Sequence, residues 1–219
     1  MFEDRQDAGR ALAKRLEKID PKLTVILALP RGGVTVAREV CDATGTPLDL
    51  IIVRKVGTPG QRELAVGAIA DGGSGADSNL VINQDVAAMC GLSEDGVRAL
   101  ARDEEPELER RRQAYLGSRK PIDLGGKTAI IVDDGIATGA TMRAAIKSAR
   151  SRLAARVVVA VPVAAQETID ELTPLVDDII CLATPSPFWA VGQHYVDFPQ
   201  VSDEEVVEAL STHPAPDKA

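Results

Sequence analysis

Two adjacent acids, Asp133 and Asp134, stand between a run of apolar residues and a turn rich in glycine and threonine. The stretch reads AIIVDDGIATGATM over residues 129–142. A helix that begins in this turn would present free backbone N–H groups and the positive end of its dipole, which suits a phosphate. Two carboxylates would repel a phosphate in direct contact, so the ligand should carry hydroxyl groups or a divalent cation beside it. A ribose 5-phosphate has that shape.

The turn itself offers the donors that a phosphate needs. Glycines allow close approach of the backbone, and two threonines add hydroxyl groups. A Walker loop is excluded because no Gly-Lys-Ser/Thr follows, and the Gly-x-Gly-x-x-Gly pattern of dinucleotide sites is absent as well. The alternative is an ordinary turn whose acid caps the following helix. The predicted site for ribose and 5-phosphate comprises Asp133, Asp134, Gly135, Ala137, Thr138, Gly139, Ala140 and Thr141.

Two further apolar runs end in residues that can bind anions. Arg31, Gly32 and Gly33 follow the run LTVILALP, and bare amides beside an arginine form an anion nest. Arg54 and Lys55 follow the run LDLIIV. Each pattern also has a plainer interpretation, the first as a simple turn and the second as a pair of surface charges.

The apolar runs that precede these residues are rich in valine and isoleucine and alternate with helical segments. Such runs are typical of parallel strands buried on both faces. Right-handed crossovers place helices on both sides of the sheet, and ligands bind beyond the carboxyl ends of the strands. We therefore predict a single α/β domain over residues 1–219 with a doubly wound parallel sheet. The predicted strands are 23–29, 48–53, 80–82, 127–132, 156–163 and 177–183.

Composition excludes several classes of protein. Apolar residues make up 45% and charged residues 26% of the 219 residues, as in an ordinary globular domain. No apolar run reaches the ~18 residues of a membrane span, and the charged N-terminal stretch lacks the apolar core of a secretion signal. Cys41, Cys90 and Cys181 are expected to be buried free thiols in a cytoplasmic protein. The net charge of −8 argues against nucleic acid as a partner.

The acidic motif resembles that of the type I phosphoribosyltransferases. Their pattern is an apolar strand, two acids, three further positions and Thr-Gly-x-Thr; IIVDDGIATGAT matches it except at Gly135, where a bulkier apolar residue is usual. The resemblance implies a Rossmann-like fold in which the acids bind the ribose hydroxyls of phosphoribosyl pyrophosphate and the turn holds its 5-phosphate. It also implies Mg²⁺, which Asp133 and Asp134 would contact indirectly, through water or through the ligand that the ion binds.

In the same family a loop after an early strand binds pyrophosphate, a role that falls here on Arg31, Gly32 and Gly33. The stretch VRKVGTPG resembles the adenine phosphoribosyltransferases. That resemblance assigns Lys55 to the pyrophosphate as well, in its own subunit or in a neighbour's.

A flexible catalytic loop follows this stretch in the adenine enzymes, which implies such a loop here at residues 57–79. Glu63 lies within it and is the candidate for moving a proton. The catalytic set implied by the resemblance is Asp133, Asp134, Arg31, Lys55 and Glu63.

The segment 183–200 is the candidate for the family's hood, a small subdomain over the acceptor base. Phe188 or Trp189 could stack on a planar ring, or could merely fill the gap between the tail and the sheet. At position 137 this sequence has alanine, which resembles the adenine enzymes, whereas the 6-oxopurine enzymes carry an aspartate there. This difference weakens an assignment to hypoxanthine or guanine as the acceptor. Four blocks, LPRGG, VRKxG, VDDGxATGAT and AVGxxYxDFxQ, resemble a group of predicted bacterial phosphoribosyltransferases.

The resemblance implies a Mg²⁺-dependent phosphoribosyltransferase of nucleotide salvage, which transfers 5-phosphoribosyl to a nucleobase or similar nitrogen heterocycle and releases pyrophosphate. The expected partners are phosphoribosyl pyrophosphate, a small nitrogenous acceptor and a second copy in a homodimer, with no membrane. One alternative is a non-catalytic sensor of phosphoribosyl pyrophosphate or a nucleotide, which Arg31 and Lys55 disfavour because a monophosphate sensor has little use for a pyrophosphate grip. Another is an unrelated phosphosugar enzyme such as a hydrolase, for which the sequence offers no identifiable acid–base pair.

Overall fold

The structure is a computed structural model that describes residues 1–72 and 79–213, apart from the side chains of Arg62 and Glu63. Within these residues the chain forms eight strands and seven α-helices. The strands are β1 (Thr24–Ala28), β2 (Leu48–Leu50), β3 (Val53–Thr58), β4 (Gln61–Ala70), β5 (Asn79–Ile82), β6 (Thr128–Val132), β7 (Arg156–Val163) and β8 (Asp178–Ala183). The helices are α1 (Arg5–Arg15), α2 (Gly32–Thr44), α3 (Gln84–Met89), α4 (Glu94–Leu116), α5 (Ala140–Ser151), α6 (Gln166–Leu172) and α7 (Asp203–Thr212).

Five parallel strands form the main sheet, in the order β2-β1-β6-β7-β8. Alternate residues of each strand face opposite sides: in β6, Ala129 and Ile131 belong to one apolar cluster, and Ile130 and Val132 to the other. Residues of α1, α2, α4 and α7 complete one cluster, and residues of α5 and α6 complete the other. The predicted doubly wound α/β fold with helices on both faces is therefore confirmed.

The strand order changes direction between β1 and β6. From β1 the chain moves to β2 on one side, and it later returns to β6 on the other side. In open α/β sheets the ligand crevice lies at such a switch point, beyond the carboxyl ends of the strands. Ala28 is paired with Val132 in the sheet, so the predicted sites that follow β1 and β6 emerge side by side.

The segment 57–79, predicted as a flexible loop, is largely strand. β3, β4 and β5 form a separate antiparallel sheet, so residues 57–58, 61–70 and 79 are strand and not irregular loop, whereas the flexibility and catalytic role of the segment stay predictions. The glycines that suggested a loop serve the hairpin: Gly57 lies at a register irregularity and Gly60 has a φ of 81° in the turn. Val66 and Ile69 are buried in the apolar cluster that includes α4. Residues 73–78 of this segment lie outside the described part of the chain.

The small antiparallel sheet is fixed to the rest of the domain by polar contacts at its base. Arg54, which could have been a plain surface charge, forms an ion pair with Glu104 of α4 (Nη2–Oε2, 2.6 Å). Asp71 follows β4; its carboxylate accepts a hydrogen bond from the N–H of Ile52 (3.2 Å), and its carbonyl accepts one from the hydroxyl of Ser148 (2.6 Å). Burial raises the pKa of Asp71 to about 6. These contacts hold β3, the strand that carries Lys55.

Two compositional predictions concern the cysteines and the membrane. All three cysteines are free, but only Cys41 is buried, whereas Cys181 is half-buried and Cys90 is exposed. The expectation of burial is wrong for Cys90 because it ends the short surface helix α3. In the ranges that the structure describes, no helix has both the length and the apolar character that crossing a membrane requires.

Candidate active site

The loop between β6 and α5 is held in place by neighbouring elements. Ile136 donates its backbone N–H to Val163 at the end of β7 (2.9 Å), and its carbonyl accepts the N–H of Ala165 (3.2 Å). Thr168 of α6 donates its hydroxyl to the carbonyl of Ala137 (2.6 Å). The path of the loop is therefore fixed by the protein itself, which is the preorganisation that an anion site needs.

A cavity of about 210 Å³ opens over this loop. Gly139 directly precedes α5 with a φ of 73°, a left-handed conformation that favours glycine. The exposed Lys55 reaches the cavity from β3 of the same chain. The first turn of a helix, two threonine hydroxyls and a cation together suit a phosphate. The cavity is lined by Lys55, Asp133, Gly135, Ile136, Ala137, Thr138, Gly139, Ala140, Thr141, Met142 and Val191.

The two acids are held in different ways. Asp133 accepts the backbone N–H of Asp134 at Oδ1 (2.9 Å), whereas Asp134 forms an ion pair with Arg5 (Oδ2–Nε, 2.8 Å). Burial, and next the charge of Asp134, raise the pKa of Asp133 well above its ordinary value. Burial also raises the pKa of Asp134, although Arg5 acts in the opposite direction.

The loop after β1 packs directly against these acids. The peptide bond before Arg31 is cis. A Cβ atom at Gly32 would lie 1.9 Å from a carboxylate oxygen of Asp134, and one at Gly33 would lie 2.7 Å from the carbonyl oxygen of Val132. No side chain fits in either place, so the glycines allow the two strand ends to come together.

Of the predicted catalytic residues whose side chains the structure describes, Lys55 and Asp133 line the cavity, whereas Asp134 and Arg31 do not. Arg31 lies 3.7 Å from Asp203 of α7 (Nη1–Oδ1), and among the described residues it does not line the cavity. Asp203 also accepts the hydroxyl of Tyr115 (2.7 Å). The side chain of Glu63 lies outside the described part of the structure. Among the described residues, Lys55 is thus the cation that lines the cavity, and the roles of Arg31 and Glu63 stay predictions.

The predicted hood, residues 183–200, contacts the loop after β6. Tyr195 donates its hydroxyl to the backbone carbonyl of Asp134 (2.5 Å). Val191 fills the space beside Gly135, where an added Cβ would lie 2.6 Å from its Cγ1 atom. This contact gives a physical reason for glycine at the one position where the motif departs from the usual pattern.

The two aromatic residues predicted to stack on a base differ in their surroundings. Phe188 is half-buried and stacks on His194, with ring centroids 5.0 Å apart. It packs against the small apolar cluster of Ala8, Val163 and Tyr195. This placement agrees with the alternative interpretation of Phe188 as a gap filler. Trp189 is 76% exposed, and base stacking by either ring stays a prediction.

Three residues that hold the site were not found from the sequence. They are Arg5, Thr168 and Tyr195, which lie 129, 31 and 61 positions from the residues that they bind. Contacts over such distances leave no local pattern. Tyr195 alone had a signal, because it belongs to the block AVGxxYxDFxQ.

A divalent cation finds no cage made of protein ligands alone in the described residues, since no three His, Cys, Asp or Glu side chains are grouped closely enough to hold one. Mg²⁺ commonly uses one or two carboxylates together with phosphate oxygens and water. Asp133 and Asp134 fit this role as indirect partners, because each already accepts a hydrogen bond at one oxygen.

Sequence comparison places this chain in a known family. The family model of the phosphoribosyl transferase domain matches residues 3–198. Two Mycobacterium tuberculosis proteins named as candidate phosphoribosyl transferases, MT0597 (strain CDC 1551 / Oshkosh) and Rv0571c (strain H37Rv), are each 47% identical over 210 residues. This chain belongs to the phosphoribosyl transferase family. The match covers 96% of the chain and 46% of each relative, so the chain spans less than half the length of these curated relatives.

Solved structures support the same fold for this phosphoribosyl transferase domain. The crystal structure of TT1426 from Thermus thermophilus has a TM-score of 0.78 at 37% identity, and covers 98% of this chain and 99% of that one. AQ2163 from Aquifex aeolicus has a TM-score of 0.52 at 11% identity, with coverage of 94% and 84%. The second similarity concerns the fold alone.

Proposed function

We propose that this domain transfers the 5-phosphoribosyl group from phosphoribosyl pyrophosphate to a nucleobase or similar nitrogen heterocycle and releases pyrophosphate. The observation that carries the proposal is the shared cavity, which the turn 137–141, Asp133 and Lys55 all line. A phosphate bound in the turn would leave the sugar ring near the acids and the diphosphate near the lysine. Membership of the family supports the same reaction class.

The residues of the site would act on charge that develops during the reaction. Breaking the anomeric bond makes the sugar more positive and the departing diphosphate more negative. Lys55 and the amide of Gly32 would stabilise the diphosphate, whereas the amide of Gly33 already donates to the carbonyl of Leu29 (3.1 Å). Arg31 would join them by leaving Asp203, at little cost, since a partly exposed ion pair contributes only about 0–1 kcal/mol. The catalytic effect would come from positioning and electrostatics, without a covalent protein intermediate.

Mg²⁺, when bound, would neutralise part of the negative charge of the pyrophosphate. Asp133 and Asp134 would hold the ion through water or through the sugar hydroxyls. This agrees with carboxyl groups that each accept a hydrogen bond from the protein at one oxygen. Above them, the hood and the β3–β4 hairpin would keep water from the activated sugar, for which hydrolysis is the competing reaction.

We further propose that the protein is a cytoplasmic homodimer engaged in nucleotide salvage, with small molecules rather than nucleic acid or membrane as partners. Three free thiols accord with a reducing compartment. The net charge of −8 accords with ligands other than nucleic acid. The homodimer and the salvage role rest on the family resemblance.

The second candidate is a non-catalytic sensor of phosphoribosyl pyrophosphate or a nucleotide. The pairing of Arg31 with Asp203, outside the cavity, favours it. The presence of Lys55 at the cavity favours catalysis, because that cation would meet the leaving diphosphate.

Pyrophosphate release in the presence of Mg²⁺, phosphoribosyl pyrophosphate and a panel of nucleobases tests the proposal. We expect release that depends on at least one base and that slows about a hundredfold in Lys55→Met, as for loss of one stabilising donor. The exposed Lys22→Met serves as the matched control and should behave like the wild type. Tight binding of phosphoribosyl pyrophosphate without release of pyrophosphate for any base would contradict catalysis and favour the sensor.

A further inference from the structure

Arg5, the first residue of α1, is held by three separate groups. Its Nε donates to Oδ2 of Asp134 (2.8 Å), and its Nη1 donates to the carbonyl of Pro199 (2.6 Å). Its guanidinium carbon lies 3.7 Å from the centre of the Phe198 ring. Only 9% of the Arg5 side chain and 15% of the Asp134 side chain are exposed. A planar guanidinium can meet a carboxylate, a carbonyl and an aromatic face at once, which a lysine cannot.

These contacts connect the acid to the hood. Pro199 and Phe198 belong to the hood segment, and so does Tyr195, whose hydroxyl binds the backbone carbonyl of Asp134. The side chain of Asp134 is therefore fixed through Arg5, and its backbone is fixed through Tyr195. The orientation of this acid depends on α1 and on the hood together.

The same contacts determine which oxygens remain for a ligand. Arg5 occupies Oδ2 of Asp134, and the N–H of Asp134 occupies Oδ1 of Asp133. Within the described residues, no hydrogen bond from another residue reaches Oδ1 of Asp134 or Oδ2 of Asp133. Two neighbouring acids thus offer one oxygen each, which matches two neighbouring hydroxyls on a ribose ring.

We propose that Arg5 is a positioning residue for sugar recognition, on the basis of the proposed phosphoribosyl function. Because Arg5 fixes the Asp134 carboxyl group, the site prefers a sugar phosphate whose ring carries the hydroxyl that Asp134 binds. Arg5 itself touches neither the sugar nor its phosphate. Its removal therefore changes the preference between sugars while the phosphate turn keeps its affinity.

The test measures binding of ribose 5-phosphate, 2-deoxyribose 5-phosphate, 3-deoxyribose 5-phosphate and inorganic phosphate by calorimetry. The wild type is expected to prefer ribose 5-phosphate over each deoxy analogue by about tenfold, the scale of one hydrogen bond to a charged group. In Arg5→Met the preference over one analogue should fall to below about twofold, and the preference over the other should stay, because Asp133 still binds its hydroxyl. Affinity for phosphate should be unchanged. Arg5→Lys should give an intermediate loss, since lysine keeps the charge but not the fork.

Arg10→Met is the matched control, because Arg10 lies on the same helix with 54% of its side chain exposed. It should bind all four ligands like the wild type. Wild-type preferences in Arg5→Met would overturn the inference, and so would a parallel loss for all ligands including phosphate, which indicates a structural role. If Arg5→Met does not fold, Arg5→Lys decides by the same criteria. A wild type that binds no sugar phosphate refutes the proposed function and this inference with it, whereas an intact preference that ignores Arg5 refutes the inference alone.

Discussion

Asp133 and Asp134 are neighbours in the sequence, yet within the described residues Asp134 alone forms an ion pair with a cation. Arg5 pairs with Asp134, whereas Asp133 accepts a backbone N–H and has a pKa raised by burial and by the charge of Asp134. A buried acid with a raised pKa costs stability at neutral pH, because the unfolded chain ionises it freely. A neutral amide is therefore tolerated at position 133, whereas at position 134 it would deprive Arg5 of its charge partner.

Asp133→Asn is predicted to separate binding from stability. The free energy of unfolding at pH 7, measured in urea, should stay the same or rise, since the amide needs no ionisation. The dissociation constant for phosphoribosyl pyrophosphate should rise about tenfold to a hundredfold, the effect of losing a charged hydrogen-bond acceptor.

The exposed Asp123→Asn, which precedes β6, is the control and should change neither quantity. An unchanged dissociation constant for phosphoribosyl pyrophosphate in Asp133→Asn would refute the role of Asp133 at the sugar. A clear drop in stability would show that Asp133 is held ionised in the free protein.

At the scale of elements, the hood and the loop after β6 share one interface. Gly135 leaves room for Val191, and an added Cβ would also lie 3.0 Å from the carbonyl oxygen of Val163. A side chain at position 135 should therefore move the hood away from the site, or strain the end of β7.

Gly135→Ala is predicted to lower the melting temperature and to weaken donor binding several-fold, because overpacking of this kind costs about 1–3 kcal/mol. The double variant Gly135→Ala with Val191→Ala should recover part of both losses. Gly96→Ala is the matched control, since a Cβ there meets only ordinary contacts. Additive effects of the two site substitutions would show that hood and loop are not coupled.

The elements also show what a sequence can predict. The stretch from β6 to α5 was predictable because strand, acids, turn and helix start lie within 14 consecutive residues of one motif. The β3–β4 hairpin was missed because glycine and charge suggested a loop, while its burial against α4 depends on residues far along the chain. Arg5 could not be predicted, because α1 shows ordinary helical features and its partner lies 129 positions away.

At the scale of the whole molecule, the fold itself assembles the site. The switch point between β1 and β6 brings the glycine loop against the acids, and the small antiparallel sheet adds Lys55 to the cavity. The N-terminal segment and the hood meet there as well, since Phe2 pairs with Tyr195 through backbone hydrogen bonds. Binding of phosphoribosyl pyrophosphate should therefore require the N-terminal segment and the hood to be in place.

A crystal structure with Mg²⁺ and phosphoribosyl pyrophosphate tests the central claim most directly. We predict the 5-phosphate within hydrogen-bond distance of the backbone N–H groups of residues 138–141, one ring hydroxyl on Asp133, the other on Asp134, and the diphosphate next to Lys55. A donor whose phosphate binds elsewhere, or whose ring hydroxyls contact neither acid, would contradict it.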